Sequence, residues 1–401
     1  MQNCPYAKKC GGCQLQNLTY EQQLSHKQVK VIRLLGKLCH VEEIMGMEHP
    51  TRYRNKATHA FCTQRGRTVS GLYQSSTDRI LPVEDCLLER ENVKGIVKTV
   101  KKLCLSMGIP TYDREKRKGF LRTVLVRESV SNGEVMVVIV SGTDKFRGKE
   151  EFTQALLQLH PEITTLLWNV NFSDTTVFLG QKTEILHGTG YLTDTLSGLS
   201  FRISPKSFYQ VNPVQTEILY GKAKEYAGLT GKETVIDAYC GTGTIGLTMA
   251  QDAKEIIGVE SNADAVRDAM ENAHRNGIKN ARFICEDAGQ FLTKLAKSKQ
   301  KIDVVITDPP RAGCSKEFLQ SLLALSPKKV VYVSCNPETL ARDLFVLSKN
   351  GYRVKKIQPV DMFPGTGHVE TVVLLSRKDV YERIKFDVNV EDLKNFSNRK
   401  T

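Results

Sequence analysis

Long apolar runs are missing from this sequence. None of its stretches approaches the roughly 18 residues that a membrane-spanning helix needs. The opening MQNCPYAKKCGGCQ lacks the apolar core of a secretory leader, so the chain is expected in the cytoplasm, where thiols stay reduced. Eleven cysteines in 401 residues are too few for a disulfide scaffold, so any that cluster need another explanation. No internal repeat or low-complexity tract is present. Acids are under-represented: 44 Asp and Glu stand against 57 Lys and Arg, a net charge of +13. That excess favours a polyanionic partner, nucleic acid first. Hydrophobic residues at 40% and charged residues at 25% exclude a disordered or fibrous chain, and the length suits two or three domains.

What is present falls into five stretches. Residues 1–15 form a cysteine-rich segment, to which Cys86 is added below. Residues 16–48 contain a helix predicted over Thr19 to Leu38. There Thr19 and Gln22 read as a capping box, and Leu24, Val31, Ile32, Leu35 and Leu38 recur at helical spacing; this segment is expected to pack on the catalytic domain. Over 49–204, short β-rich runs such as RTVLVRESV and EVMVVIVSG alternate with Gly, Asn, Asp and Ser, which predicts a β-rich, RNA-binding central domain. From 205 to 377 apolar strands alternate with helical patterns, the signature of a doubly wound α/β sheet. One of these helices, SNADAVRDAMENAHRNG, is predicted with Ser261 as cap and Gly277 as stop. YRVKKIQPV and VETVVLLSR are joined by a loop alone, so they should pair antiparallel. The polar tail 378–401 carries no motif.

Gly241, Gly243 and Gly246 follow a strand in G-x-G-x-x-G order, and Glu260 lies 19 residues beyond Gly241. A dinucleotide dehydrogenase fits that pattern. Three further acids, Asp237, Asp287 and Asp308, fall at successive strand ends. A row of carboxylates suits a cofactor with an amino group and a sulfonium charge, and suits a pyrophosphate poorly. S-adenosylmethionine is therefore favoured over NAD.

Cys335, in S-C-N-P, ends the apolar strand VVYV, and ligands of such sheets bind at the carboxyl ends of strands. A partly exposed thiol there, near a sulfonium and helix N-termini, can have a lowered pKa and act as nucleophile. Glu370 lies in F-P-G-T-G-H-V-E. A thiolate and a carboxylate about one crevice meet the needs of methylation at pyrimidine C5: thiolate addition at C6 activates C5, and a base then removes the C5 proton. His368 reads as a hydrogen-bonding support. Asp308-Pro-Pro is followed by Arg311 where enzymes that methylate exocyclic amines carry an aromatic, which speaks against that chemistry. Cys240 and Cys314 read as bystanders.

Five segments, S-F-Y-Q-V-N (207–212), D-A-Y-C-G-T-G (237–243), D-P-P-R (308–311), S-C-N-P (334–337) and F-P-G-T-G-H-V-E (363–370), occur in the order found in the RNA uracil-5-methyltransferases, which this sequence resembles. The resemblance implies a Rossmann-like class I methyltransferase domain with an antiparallel last strand. It makes Cys335 the nucleophile and Glu370 the base. It places Gln210, Tyr239, Thr244, Glu260, Asp287 and Asp308 around S-adenosylmethionine or the base beside it. Phe208 and Tyr209 become candidates to stack on a flipped base.

Cys4, Cys10 and Cys13, spaced C-x5-C-x2-C, suggest a metal site, with Cys86 in L-P-V-E-D-C the best fourth ligand. Thiol chemistry alone leaves zinc and a [4Fe-4S] cluster open. The resemblance implies the cluster, which marks the branch of the family acting on 23S ribosomal RNA. Many relatives of that branch carry an extra β-barrel ahead of the first cysteine, whereas this sequence starts at the cysteines. Phosphate contacts are then expected from Arg52, Arg54, Lys56, Arg114, Lys116, Arg117 and Lys118. The expected protein is a monomer without an obligate protein partner. The rivals are a transfer-RNA enzyme, a non-catalytic iron–sulfur RNA-binding factor and the dehydrogenase.

Overall fold

The computed structural model describes residues 4–75, 77–173, 178–298 and 300–378; the polar tail expected over 378–401 lies outside the described residues from 379 onward. Among the described residues no helix is long and apolar enough to cross a membrane. The chain opens with a short helix α1 (Ala7–Cys10) and a longer one, α2 (Tyr20–Leu35). Thr19 caps α2 in the expected box, its hydroxyl accepting from the Gln22 amide while the Gln22 side chain accepts from the Thr19 amide. The helix stops at Leu35, not Leu38, because Gly36 takes the C-cap and the chain tightens into a turn, with the Leu38 amide bonding the Leu35 carbonyl.

The next elements are β1 (Lys56–Gln64), β2 (Arg67–Tyr73), β3 (Ile80–Pro82), α3 (Glu91–Ser106), β4 (Leu121–Glu128), β5 (Val135–Ser141), α4 (Lys149–Leu159), β6 (Ile163–Val170) and β7 (Lys182–His187). They form a seven-stranded mixed sheet in the order β3-β2-β1-β4-β5-β6-β7. Its inner strand β5 is buried at every position and apolar in all but Ser141, as a strand covered on both faces must be. One face packs on α3 and α4. The other face, with a hairpin of β8 (Leu192–Leu196) and β9 (Leu199–Ile203), shares a single apolar core with the carboxy-terminal half of the chain.

That half comprises α5 (Pro213–Ala227), β10 (Thr234–Ala238), α6 (Thr244–Met249), β11 (Glu255–Glu260), α7 (Ala263–Arg275), β12 (Ala281–Cys285), α8 (Ala288–Ser298), β13 (Val304–Thr307), α9 (Lys316–Leu325), β14 (Lys329–Ser334), α10 (Pro337–Lys349), β15 (Tyr352–Val360) and β16 (Glu370–Arg377). Its sheet runs β12-β11-β10-β13-β14-β16-β15, with the first five strands parallel and β16 antiparallel to both neighbours. The strand order reverses beside β10, which opens a crevice at the carboxyl ends of β10 and β13. Asn262, not Ser261, caps α7, since its side chain reaches the Asp264 and Ala265 amides. Helix α2 buries Val31 and Leu35 in the core formed with α8, α9 and α10, so the amino terminus is built onto this sheet.

Candidate active site

The crevice is lined by acids, two of which, Asp237 and Asp308, burial makes hard to ionise. Asp237, on β10, is 1% exposed and its Oδ2 accepts the Gly246 amide at 2.8 Å. Its Oδ1 is buried with no partner, as is the Thr242 hydroxyl. Burial, opposed by the Gly246 bond and reinforced by the charges of Asp308 and Glu260, pushes its carboxyl up to about 7. Asp308, just past β13, is likewise raised to about 7 by burial. Glu260, at the end of β11, accepts the Gly241 amide at 3.2 Å and the Asn262 amide at 2.8 Å. The mutual repulsion of these carboxylates and the two orphaned oxygens favour a ligand that brings positive charge and hydrogen-bond donors.

The glycine loop between β10 and α6 supplies room. Gly243 has φ +80°, and a β-carbon there would lie 2.9 Å from the Phe283 ring. Gly246 must also lack a side chain, because a β-carbon would come within 2.8 Å of the Asp237 Oδ2 that its own amide binds. Thr244 is the first residue of α6, buried, its hydroxyl 3.2 Å from Tyr220 Oη. Tyr239 holds a left-handed φ of +62° at the strand end, its ring 5.5 Å from that of Phe318. Asp287 is exposed after β12, its carboxylate accepting the Gln290 amide at 3.0 Å. Gln210 is buried and hydrogen-bonds Tyr220, which Asp308 also influences.

Cys335 leaves β14 half-buried. In the β14–β16 ladder Ser334 pairs with Thr371, so the next position in register sets Cys335 opposite Glu370. Glu370 is 3% exposed; burial and Asp308 push its carboxyl up to about 8, with Arg311 pulling the other way. The protein's own groups, taken together, do not lower the pKa of the Cys335 thiol. Burial, Glu370 and Asp308 raise Cys335 to about 11, outweighing Arg311. Arg311 Nη2 donates to His368 Nδ1 at 2.8 Å, and burial with the nearby cations Arg311, Lys27, Lys30 and Arg54 holds His368 below its ordinary value. The imidazole is thereby hydrogen-bonded and held toward its neutral form. Cys240 and Cys314 are both buried, their thiols pushed up, and neither faces Glu370 in the β14–β16 register.

Other expectations need correction. Tyr209 is 4% exposed within the shared core, because its ring fills the seam under α5; Phe208, beside it, is 63% exposed. Arg52 is engaged by Asp85, Glu91 and the Cys86 and Glu89 carbonyls, so its charge is already matched. Lys56 is driven down to about 8, first by burial and then by Arg127 and Arg54. Of these three, Arg54 faces His368 and Cys13. Arg114 pairs with Asp78, and Lys116 with Asp113.

Cys13 feels the charges of Cys10 and Cys4, and Cys86 feels that of Cys13, so the four thiols occupy one neighbourhood. The Tyr6 hydroxyl, accepting the Glu84 amide at 3.2 Å, ties the amino-terminal segment to the Cys86 turn. Their donor chemistry suits a thiolate-ligated centre. Yet among the described residues no three His, Cys, Asp or Glu groups are placed to hold a metal ion.

The five parallel strands, the antiparallel β16 and the acid-lined glycine loop together define a class I S-adenosylmethionine-dependent methyltransferase fold. Comparison with known proteins narrows the class. A family model described as tRNA (uracil-5-)-methyltransferase matches residues 19–378. Proteins named uncharacterized RNA methyltransferases from Halalkalibacterium halodurans and Caldanaerobacter subterraneus subsp. tengcongensis are 43% and 45% identical over 381 and 378 residues. These matches cover 94% and 93% of this chain and 83% and 84% of the relatives. Among solved structures, the tRNA (uracil-54, C5)-methyltransferase of Pyrococcus abyssi in complex with S-adenosyl-L-homocysteine superposes with a TM-score of 0.75 at 29% identity, over 91% of this chain and 86% of that one. The chain belongs to the RNA (uracil-5-)-methyltransferase family.

Proposed function

We propose that this enzyme methylates uridine C5 in 23S ribosomal RNA through a covalent adduct between Cys335 and uracil C6. The observation that carries the mechanism is the register of β14 and β16, which sets Cys335 opposite Glu370 beside Asp308. The Cys335 thiol gives its proton to solvent water and its sulfur bonds C6, moving the ring electrons toward C5 and the C4 oxygen. Bound S-adenosylmethionine would supply an electrophilic methyl group to C5, its S–CH3 bond breaking to leave S-adenosylhomocysteine. Glu370 takes the C5 proton, the C5–C6 double bond reforms, and the sulfur leaves as thiolate. Glu370 must be ionised for that step, and the neighbouring Arg311 favours its charged form. Asp237 and Glu260 serve the cationic methyl donor; Thr244, Tyr239 and Asp287 frame it, and Gln210 and Asp308 border the base. Phe208 stacks on the extruded uracil.

In this reading Cys4, Cys10, Cys13 and Cys86, which share one neighbourhood but are not drawn into a ligand set, would close around a [4Fe-4S] cluster. An all-thiol donor set supports it, and the methylation chemistry needs no electron from it. The cysteines favour ribosomal RNA, whereas the likeness to the Pyrococcus abyssi enzyme, named for a transfer RNA, favours transfer RNA as the second reading. Labelled-methyl transfer to purified 23S ribosomal RNA and to transfer RNA, with 5-methyluridine located by mass spectrometry, separates the two. Methylation of transfer RNA alone would overturn the ribosomal reading, and no methylation of either would overturn both.

A further inference from the structure

The loop 361–369, which delivers Glu370 to the crevice, is held from outside itself. Its own bonds are few: Thr366 Oγ1 donates to the Phe363 carbonyl at 2.8 Å, and the amides of Met362, Thr366 and His368 make short local contacts. The Asp361 and Met362 carbonyls are held by Gln215 and Asn212 at the start of α5, and the stretch from Phe363 to Gly367 is met by residues from the amino-terminal part of the chain. Lys27, on α2, and Asp361 form an ion pair at 2.5 Å with both side chains 0% exposed. The Lys27 ammonium donates as well to the Phe363 carbonyl at 3.0 Å, and the Tyr20 hydroxyl donates to the second Asp361 oxygen at 3.0 Å. Gln23 Oε1 accepts the Gly365 amide at 2.8 Å, and Gln14 Oε1 accepts the Gly367 amide at 3.0 Å. The Leu15 amide donates to the Gly365 carbonyl at 3.0 Å. The Tyr53 hydroxyl donates to the Pro364 carbonyl at 3.0 Å.

We infer that Lys27, supported by Gln23 and Gln14, is a positioning residue for the proton-abstraction half of the reaction; the inference rests on the reading of Glu370 as the base. A buried ion pair is an expensive way to gain stability, because two charges must be desolvated. What it gives here is geometry. The ammonium gathers Asp361 and the Phe363 carbonyl at the exit of β15, and the loop then enters β16 at Glu370. The nucleophile is placed by other means. Cys335 follows β14 in the sheet interior, and Asn336 caps α10 through the Glu338 amide. Loosening the amino-terminal hold therefore shifts the carboxylate while leaving the thiol where it is. A displacement near 1 Å at a reacting group costs about 100-fold in rate.

The test follows single turnovers on substrate RNA and separates covalent protein–RNA adduct from released product on denaturing gels. Lys27→Met keeps the side-chain length and removes the ammonium. The expected result is adduct formation and methyl transfer within about threefold of wild type, with release of the methylated adduct slowed about 10- to 100-fold, a partial form of the Glu370→Gln behaviour. A Lys27→Met protein with wild-type circular dichroism that loses addition and release in equal measure, or neither, would overturn the inference. Should Lys27→Met fail to fold, Gln23→Ala, which removes one bond to the Gly365 amide, decides in its place. Slowed release with intact addition supports the inference, and unchanged partitioning overturns it. A Glu370→Gln enzyme that turns over without trapping adduct would refute the base assignment itself, a failure distinct from that of the Lys27 role.

Discussion

Cys335 and Glu370 stand opposite one another just beyond the β14–β16 ladder, in the register set by the Ser334–Thr371 pair. They are 35 residues apart in sequence, yet the reversal of β16 relative to the five parallel strands makes them cross-strand neighbours. Burial and the Glu370 carboxylate discourage the Cys335 thiol from ionising, while burial and Asp308 do the same for Glu370. The crevice therefore holds protons that a cationic methyl donor displaces by favouring charged carboxylates and thiolate.

This charge arrangement makes stability depend on pH in a defined direction. Asp237, Asp308 and Glu370 have native values of about 7, 7 and 8, against ordinary values of 3.8, 3.8 and 4.5. Between those limits the folded protein binds more protons than the unfolded chain, so their contribution is fully present below pH about 4 and is lost as pH rises through about 7 to 8. Other groups govern acid unfolding, so the readable window is the upper part. The melting temperature of the ligand-free protein should fall from pH about 6 to about 8. Asp237→Asn should flatten that slope, and S-adenosylmethionine should flatten it further. A slope unchanged by Asp237→Asn would contradict the account.

Gly243→Ala tests the cofactor loop. Its φ of +80° and the 2.9 Å approach to Phe283 leave no room for a methyl group. A loss of about 1–3 kcal/mol is expected in urea unfolding, with weakened S-adenosylmethionine binding by calorimetry. Unchanged stability and affinity would mean that the loop adapts.

Phe208 is the exposed aromatic beside buried Gln210. A stacked base is worth about 1–3 kcal/mol, so Phe208→Ala should raise the RNA KM about tenfold and leave S-adenosylmethionine affinity unchanged. An unaltered KM would remove Phe208 from base recognition.

The parts of this architecture that are local in sequence were readable from it. The acids at strand ends follow from apolar strands of fixed length that stop at a polar residue, and the Thr19–Gln22 box is complete within four residues. The parts that rest on distant partners were not. Helix α5 buries one face, but that face carries the polar Gln215 and Thr216 beside Leu219, Tyr220, Ala223 and Tyr226 while apolar Val214 is exposed, so its apolar stripe is blurred in the sequence, although the Asn212 cap and Pro213 signal its start. Tyr209 reads as an aromatic poised beside Gln210, yet the seam between the two sheets takes it in. The Lys27–Asp361 pair joins residues 334 apart in the chain. No spacing rule reaches that far.

Glu370→Gln, incubated with substrate RNA and S-adenosylmethionine and run on a denaturing gel, tests the covalent mechanism most directly. A slow-migrating protein–RNA species should accumulate, its peptide map should place the RNA on Cys335, and Cys335→Ala should form neither adduct nor 5-methyluridine. Methylation that persists in Cys335→Ala would contradict the mechanism at its root.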